Sequence, residues 1–200
     1  MKLPFEKALA ETKALQTQMG QEFEQQLRQG SNLLSCSKGC SYCCHHPFLI
    51  TILEGLLLYR HLTARGKWTP SLQKKLKADR DKTLKLSFDI WLLSNIPCPL
   101  LEEKLCVAYE RRPLYCRATF STGDPLLCHP HELSENIRLT QGSEIVIEFN
   151  INLQNQLERL ETAQVLMPLS EAILLSEALE SETLEVGNLG FQYMKDRFSD

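Results

Sequence analysis

Eight cysteines are the residues of this chain whose type and spacing could do chemistry. Thiolates are soft ligands that suit zinc and iron–sulfur clusters. Half of the cysteines fall in the nine residues 36–44 and the rest are spread downstream. The full set is Cys36, Cys40, Cys43, Cys44, Cys98, Cys106, Cys116 and Cys128. We expect these side chains to converge on one metal-binding region that the rest of the chain holds in place.

The number of thiols leaves the kind of metal centre open. A tetrahedral zinc site and an iron–sulfur cluster each commonly take four thiolates, so eight could serve two sites or one polynuclear centre. Adjacent side chains in an α-helix diverge by about 100°, so we expect Cys43 and Cys44 to contribute to different metal positions. The spacing matches neither a two-pair zinc ribbon nor the common ferredoxin run. Zinc and iron both remain candidates.

Histidines and arginines near the cysteines are further candidates for the site. Arg112 and Arg117 are predicted to lie at the cofactor, because cations offset the negative charge of clustered thiolates. Surface ion pairing is the alternative for both, and for the neighbouring Arg111. Each histidine is a weaker candidate, as an alternate or supporting ligand, because eight thiolates already suffice. These are His45, His46, His129 and His131, with His61 weaker still.

Composition bounds the class of protein. A chain of 200 residues with 43% hydrophobic residues can bury a core and predicts one domain over residues 1–200. A net charge of −3 gives no reason to expect nucleic acid binding. No signal peptide and no run of about 18 apolar residues is evident, so we expect a cytoplasmic protein without a membrane partner. Cytoplasmic thiols stay reduced, which favours metal binding over disulfides.

Hydrophobic spacing predicts a mainly α fold around this region. Apolar residues at helical spacing, with Leu15 among them, predict a helix over 3–29. The sequence Thr51-Ile52-Leu53-Glu54 is typical of a capping box and predicts a helix start. Thr69-Pro70 predicts the start of a long helix that ends near Asn95, with Leu72, Leu76, Leu84, Phe88, Trp91 and Leu92 as its buried positions.

The remaining elements are predicted to frame the cysteines. A turn around 102–104 would bring Cys98 and Cys106 together, and glycine and proline predict that 116–131 is mostly loop. Residues 145–149 have strand composition but could equally begin a helix. C-terminal helices are expected at about 150–182, one of them capped by Ser170. The metal-binding module is therefore placed at about 36–131, in a single helical domain whose cysteine region is loop-rich.

The cysteine pattern resembles that of the YkgJ-like cysteine-cluster family, which is described as a zinc- or iron-chelating domain. The resemblance covers about 36–128 and implies metal binding, with no general biochemical function beyond it. This chain has three residues between its first two cysteines where the family pattern has two. The matching stretches are Cys36-x3-Cys40-x2-Cys43-Cys44, Cys98-Pro99-Leu100-Leu101, Cys106-Val107-Ala108-Tyr109, Arg112-Pro113-Leu114, Cys116-Arg117 and Cys128.

Three functions are consistent with this sequence. The first is a metal-binding protein that holds zinc or iron, with an iron–sulfur or polynuclear centre as one form. The second is a redox or group-transfer enzyme component, since a similar module occurs in flagellin lysine N-methylases, where an iron–sulfur cluster is implicated. The third is a module that binds a protein partner and contains a structural zinc site. No nucleophile with a base, phosphate-binding glycine loop or paired carboxylates supports an ordinary hydrolase.

Overall fold

The structure is a computed structural model that describes residues 2–29, 39–119 and 166–181. It confirms the mainly α fold. The helices are α1 (Lys2–Gln29), α2 (Ile52–Ala64), α3 (Pro70–Thr83), α4 (Phe88–Leu93), α5 (Leu114–Ala118) and α6 (Leu169–Glu180), with 3-10 helices at Tyr42–His45 and Tyr109–Arg111. The predictions for Cys36, Cys128, His129, His131 and residues 145–149 lie outside the described residues.

Two short antiparallel strand pairs accompany the helices. Strand β1 (Leu49–Thr51) pairs with β4 (Leu166–Pro168), with Ile50 opposite Met167. Strand β2 (Leu101–Glu102) pairs with β3 (Leu105–Cys106) in a hairpin. Because β1 leads directly into α2 and β4 directly into α6, the first pair places these two helices side by side. This pairing was not predicted from the sequence.

The local helix signals in the sequence were mostly correct. Helix α1 lies within one residue of the predicted 3–29, with Leu15 buried. Both hydrogen bonds of the capping box form at Thr51, so α2 begins where predicted. The hydroxyl of Thr69 accepts from the backbone N–H of Leu72, which confirms the predicted start of α3.

Three details of the helical prediction were wrong. The long helix from Pro70 is two helices, because the Ser87 hydroxyl accepts from the N–H of Ile90 and starts α4 after a break. Phe88 is consequently 53% exposed instead of buried. Ser170 is not a cap but lies inside α6, where its hydroxyl donates to Asp79 at 2.6 Å. Of the predicted C-terminal helices, the described residues show α6 alone.

The core lies between α2 and α6, with α3 against α6 and α1 against α2. Gly55 allows the close approach of α2 and α6, because a Cβ at this position would lie 2.6 Å from the carbonyl oxygen of Ala172 and 2.7 Å from its Cβ. The largest fully buried aliphatic side chains are Ile50, Ile52, Leu56, Leu58, Leu62, Leu76, Leu100, Leu114, Met167 and Ile173. None of the helices in the described ranges combines the length and apolar character that crossing a membrane requires.

Two Gly→Ala substitutions, one at the contact between α2 and α6 and one in α1, are predicted to change stability in opposite directions. Gly55→Ala should lower the free energy of unfolding by about 1–3 kcal/mol, because the added methyl overlaps the backbone of Ala172. Gly20→Ala is the matched control within α1, where the new Cβ would lie 3.5 Å from Arg117, an ordinary contact. It should raise stability by about 0.5–1 kcal/mol through helix propensity. Urea unfolding at equal metal content measures both, and a Gly55→Ala protein as stable as the parent contradicts the packing.

Candidate metal centre

Four separate segments deliver the described cysteines to one region. Cys43 and Cys44 lie in the 3-10 helix Tyr42–His45, just after Cys40. Cys98 lies in the loop before β2, Cys106 ends β3, and Cys116 lies within α5. All six are free thiols of intermediate exposure. Their positions therefore depend on how these four segments are fastened to one another.

A backbone hydrogen bond joins the first two segments. The N–H of Cys98 donates to the carbonyl of Cys44 at 2.7 Å. The N–H of Leu101 in turn donates to the carbonyl of Cys98 at 2.9 Å, which turns the chain into β2. The backbone at Cys98 is thus held next to the segment that contains Cys40, Cys43 and Cys44.

The β2–β3 hairpin brings Cys106 back toward Cys98. Its two turn residues, Glu103 and Lys104, have φ of 48° and 65°, as a type I′ hairpin turn requires. Leu101 consequently lies opposite Cys106. The thiols of Cys98 and Cys106 are near enough for Cys106 to raise the pKa of Cys98, which agrees with the predicted effect of this turn.

Glu54 fastens α5, and with it Cys116, to the start of α2. Its Oε2 accepts from the backbone N–H of Thr51 at 3.1 Å, as part of the capping box. Its Oε1 accepts from the N–H of Leu114 at 2.9 Å and from Nε2 of Gln16 at 3.4 Å. This carboxylate is 4% exposed. A negative charge at the N-termini of α2 and α5 is also favoured by their helix dipoles.

Four of the thiols, Cys43, Cys98, Cys106 and Cys116, influence one another electrostatically, and we call them the four-thiol group. Burial raises the pKa of Cys98 to about 12 and is also the main reason that the pKa of Cys116 lies well above its usual value. The pKa of Cys116 is raised further by Cys98, Cys43 and Cys106. Without a cation, these thiols are therefore held in their neutral form.

The vicinal pair behaves differently from the expectation based on α-helical geometry. The thiol of Cys43 donates a hydrogen bond to Cys44, and this bond is the largest cause of the raised pKa of Cys43. Adjacent side chains in this single 3-10 turn therefore meet instead of diverging. The helix also begins after Cys40, so Cys40, Cys43 and Cys44 do not share the face of an α-helix.

Arg112 is the cation that acts on most members of the four-thiol group. It lowers the pKa of Cys43, Cys106 and Cys116. Its guanidinium carbon lies 3.7 Å from the centre of the Tyr109 ring. Its Nε–H is buried and, within the described part of the chain, has no hydrogen-bond acceptor. Arg112 is therefore placed to face an anionic group.

Arg117 and the histidines have other surroundings. Arg117 donates from Nε to the carbonyl of Arg112 at 3.0 Å and from Nη2 to the carbonyl of Glu110 at 2.7 Å, so it holds the segment that carries Arg112. The Nδ1 atom of His45 is buried and finds no hydrogen-bond partner in residues 2–29, 39–119 and 166–181. His61 lies on α2 beside Arg65 and Arg111 instead of beside the thiols.

Two charged residues of α3 near Cys98 were missed by the sequence analysis. Asp79 raises the pKa of Cys98 and Lys75 lowers it, and Lys75 also donates to the carbonyl of Leu101 at 3.5 Å. Charged residues on a helix ordinarily predict only a solvated face. Lys75 and Asp79 are four residues apart, so they lie on one side of α3, next to the buried Leu72 and Leu76. This spacing could have placed them at the edge of the hydrophobic core.

The described thiols are gathered but are not at ligand distance. Among the residues that the structure describes, no three Cys, His, Asp or Glu side chains are close enough together to hold a metal ion. The donor types nevertheless fit zinc or iron, because they are soft thiols that come from four segments. They also lie near Arg112, whose buried Nε–H has no acceptor among the described residues.

Comparison with known proteins gives one family. A family model with the pattern CxxCxxCC, described as a "putative zinc- or iron-chelating domain", matches residues 35–141, more than half of the chain. The match spans all eight cysteines together with Arg112 and Arg117. No curated protein and no solved structure matches the chain.

The position of Glu54 predicts a stability effect for a nearly isosteric substitution. Glu54→Gln should lower the free energy of unfolding by about 1–3 kcal/mol, because the amide group would place a donor against the N–H of Leu114 or Thr51. Glu102→Gln is the control, since Glu102 is exposed on β2 and should change stability by less than about 0.5 kcal/mol. Urea unfolding measures both, and equal midpoints for the two variants would contradict the role of Glu54.

Proposed function

Because the chain belongs to the CxxCxxCC family, we propose that it binds zinc or iron through its cysteine thiolates. The observation that carries this proposal is the four-thiol group, in which thiols from four segments interact electrostatically. We propose all eight cysteines as ligands of one region, with the vicinal pair able to serve adjacent metal positions. The proposed ligands are Cys36, Cys40, Cys43, Cys44, Cys98, Cys106, Cys116 and Cys128.

The energetics of the four-thiol group support a bound cation. Burial is the main reason that the pKa values of Cys98, Cys106 and Cys116 are raised, and repulsion by neighbouring thiolates adds to it. At Cys43 the hydrogen bond with Cys44 is the main reason. A divalent metal reverses this balance, because it binds the deprotonated sulfur and cancels its charge. When bound, the metal supplies either a closed structural link among the four segments or, if a coordination position stays open, a Lewis-acid or redox centre.

Arg112 supports a centre that remains negative after the metal is bound. Four thiolates around one divalent ion carry a net charge of about −2. The buried Nε–H of Arg112, which has no acceptor within the described part of the chain, can donate to a ligand sulfur. Arg117 is proposed to act indirectly, by holding the carbonyls of Glu110 and Arg112. We propose that the chain is a single domain in the reducing cytoplasm, where its thiols stay available for a metal.

The test of this function is the metal content of the protein as it is isolated. Anaerobic purification from cells grown without added metal, followed by elemental analysis and an absorption spectrum, should give at least one zinc or iron per chain. Iron with acid-labile sulfide and a broad visible band supports a cluster, and zinc with a featureless visible spectrum supports a zinc site. Protein that contains neither metal and takes up neither when reconstituted would falsify the proposal.

Substitution of single cysteines tests whether distant segments share one centre. Cys43→Ser and Cys116→Ser should each lower the bound metal by at least half, because each removes a ligand contributed by a different segment. Ser41→Ala is the control from the same turn, since it removes a hydroxyl and leaves every thiol in place. Elemental analysis of the purified variants provides the measurement. Full metal content in both cysteine variants contradicts convergent ligation.

The raised pKa values predict a steep pH dependence of metal binding. Cysteine thiols are mostly neutral at pH 7, and burial raises the pKa of Cys98 and Cys116 further, so a metal must displace their protons throughout the neutral range. Apparent affinity should therefore rise with pH below these pKa values, by about one decade per pH unit for each proton displaced. Chelator competition between pH 6.5 and 8, corrected for protonation of the chelator, should give a slope of at least two. A slope near zero contradicts thiol ligation.

A further inference from the structure

A second candidate site lies away from the thiols, between α1, α2 and the 3-10 helix Tyr109–Arg111. It is a cavity of about 400 Å³, within the size range of small-molecule sites. Residues of α1 at 6, 9, 10 and 13 and of α2 at 57, 60 and 61 face it with helical spacing. Its lining residues are Glu6, Leu9, Ala10, Lys13, Leu57, Arg60, His61 and Arg111.

The cavity has an apolar floor and a polar rim. Leu9 is 3% exposed and Leu57 is 8% exposed, so both contribute buried hydrocarbon surface to its base. Glu6 and Lys13 are exposed on the α1 side, where the cavity meets solvent. An occupant can therefore place an apolar body on the leucines while a charged end remains near the rim.

The carboxylate of Glu6 is already neutralised by Arg60. Arg60 Nη2 lies 2.8 Å from Oε1 of Glu6 and 2.6 Å from Oε1 of Glu180 on α6. This arrangement links α1, α2 and α6 and leaves Arg60 with two carboxylates. Glu6 is the one acid among the eight lining residues, all of which belong to the described part of the chain. Because Glu6 is paired with Arg60, the remaining charged residues of the lining, Lys13 and Arg111, make the cavity positive.

Lys13 and Arg111 are cations whose charged groups have no carboxylate partner in the described ranges. The neighbouring acid Glu110 pairs with Arg65 instead. His61 also lines the cavity, and its pKa is lowered mainly by burial, with smaller effects of Arg65 and Arg111 that Glu110 opposes. Arg111 directly precedes Arg112, so consecutive residues face the cavity and the thiols.

We propose that this cavity binds a small organic anion whose carboxylate or phosphate group is held by Arg111 and Lys13 and whose short apolar body packs on Leu9 and Leu57. A guanidinium recognises both kinds of oxyanion through paired hydrogen bonds, and a lysine adds a mobile point charge. The size of the cavity and its position between two helices fit a small molecule. The site uses none of the proposed metal ligands.

Three probes that share one apolar tail test the proposal. Butanoate, butyl phosphate and butanol are titrated into the metal-loaded full chain, and binding is followed by saturation-transfer NMR and by changes in backbone amide shifts. At least one of the two anions should bind with millimolar affinity, as expected of so small a ligand, and butanol should bind at least tenfold more weakly. Preference for the phosphate or for the carboxylate identifies the head group. Absence of binding by both anions overturns the proposal.

Charge-removing variants locate the site. Arg111→Met and Lys13→Met should each weaken binding of the preferred anion by about tenfold, since each removes a charge-assisted hydrogen bond. Lys7→Met is the matched control on α1, because Lys7 is 78% exposed and pairs with Glu11 outside the cavity. Unchanged affinity in Lys13→Met overturns the proposal even if Arg111→Met folds poorly. Metal content should be unchanged in Lys13→Met, so failure of this site is distinguishable from failure of the metal-binding function.

Discussion

A single buried carboxylate joins three helices of this protein. Glu54 caps α2 through Thr51, accepts from Gln16 of α1 and accepts from the N–H of Leu114 at the start of α5. These groups are neutral donors, so the carboxylate is satisfied by hydrogen bonds and helix dipoles instead of by an ion pair. Because α5 carries Cys116, the same carboxylate connects the helical frame to the cysteine region.

The helical frame is closely packed, whereas the thiols lie mostly in short, less regular segments. The frame is closely packed, as the contact of Gly55 with Ala172 shows, and closely packed helices resist displacement. The thiols lie in short turns, loops and a two-residue hairpin, where small movements cost little. A rigid frame with adjustable ligand segments can gather sulfurs first and let the metal draw them to bonding distance.

The sequence predicted what is local and failed where distant segments meet. Short patterns located the capping box at Thr51, the proline start at Pro70 and the hairpin turn at Glu103, because each depends on a few adjacent residues. The bond from Leu114 to Glu54 spans 60 positions, and the three-residue pairing of β1 with β4 joins even more distant segments. Neither leaves a periodic signal. The eight cysteines were identified as ligands by type, and their participation remains a proposal.

The most direct test of this account is X-ray absorption at the metal edge of the protein as it is isolated. We predict a first coordination shell dominated by sulfur at about 2.3 Å, as thiolate ligands of zinc or iron give. A sulfur shell that diminishes in Cys116→Ser would further show that α5 contributes to it. A first shell of oxygen and nitrogen at about 2.0 to 2.2 Å, with no sulfur, would contradict the claim that the gathered thiols form the metal centre.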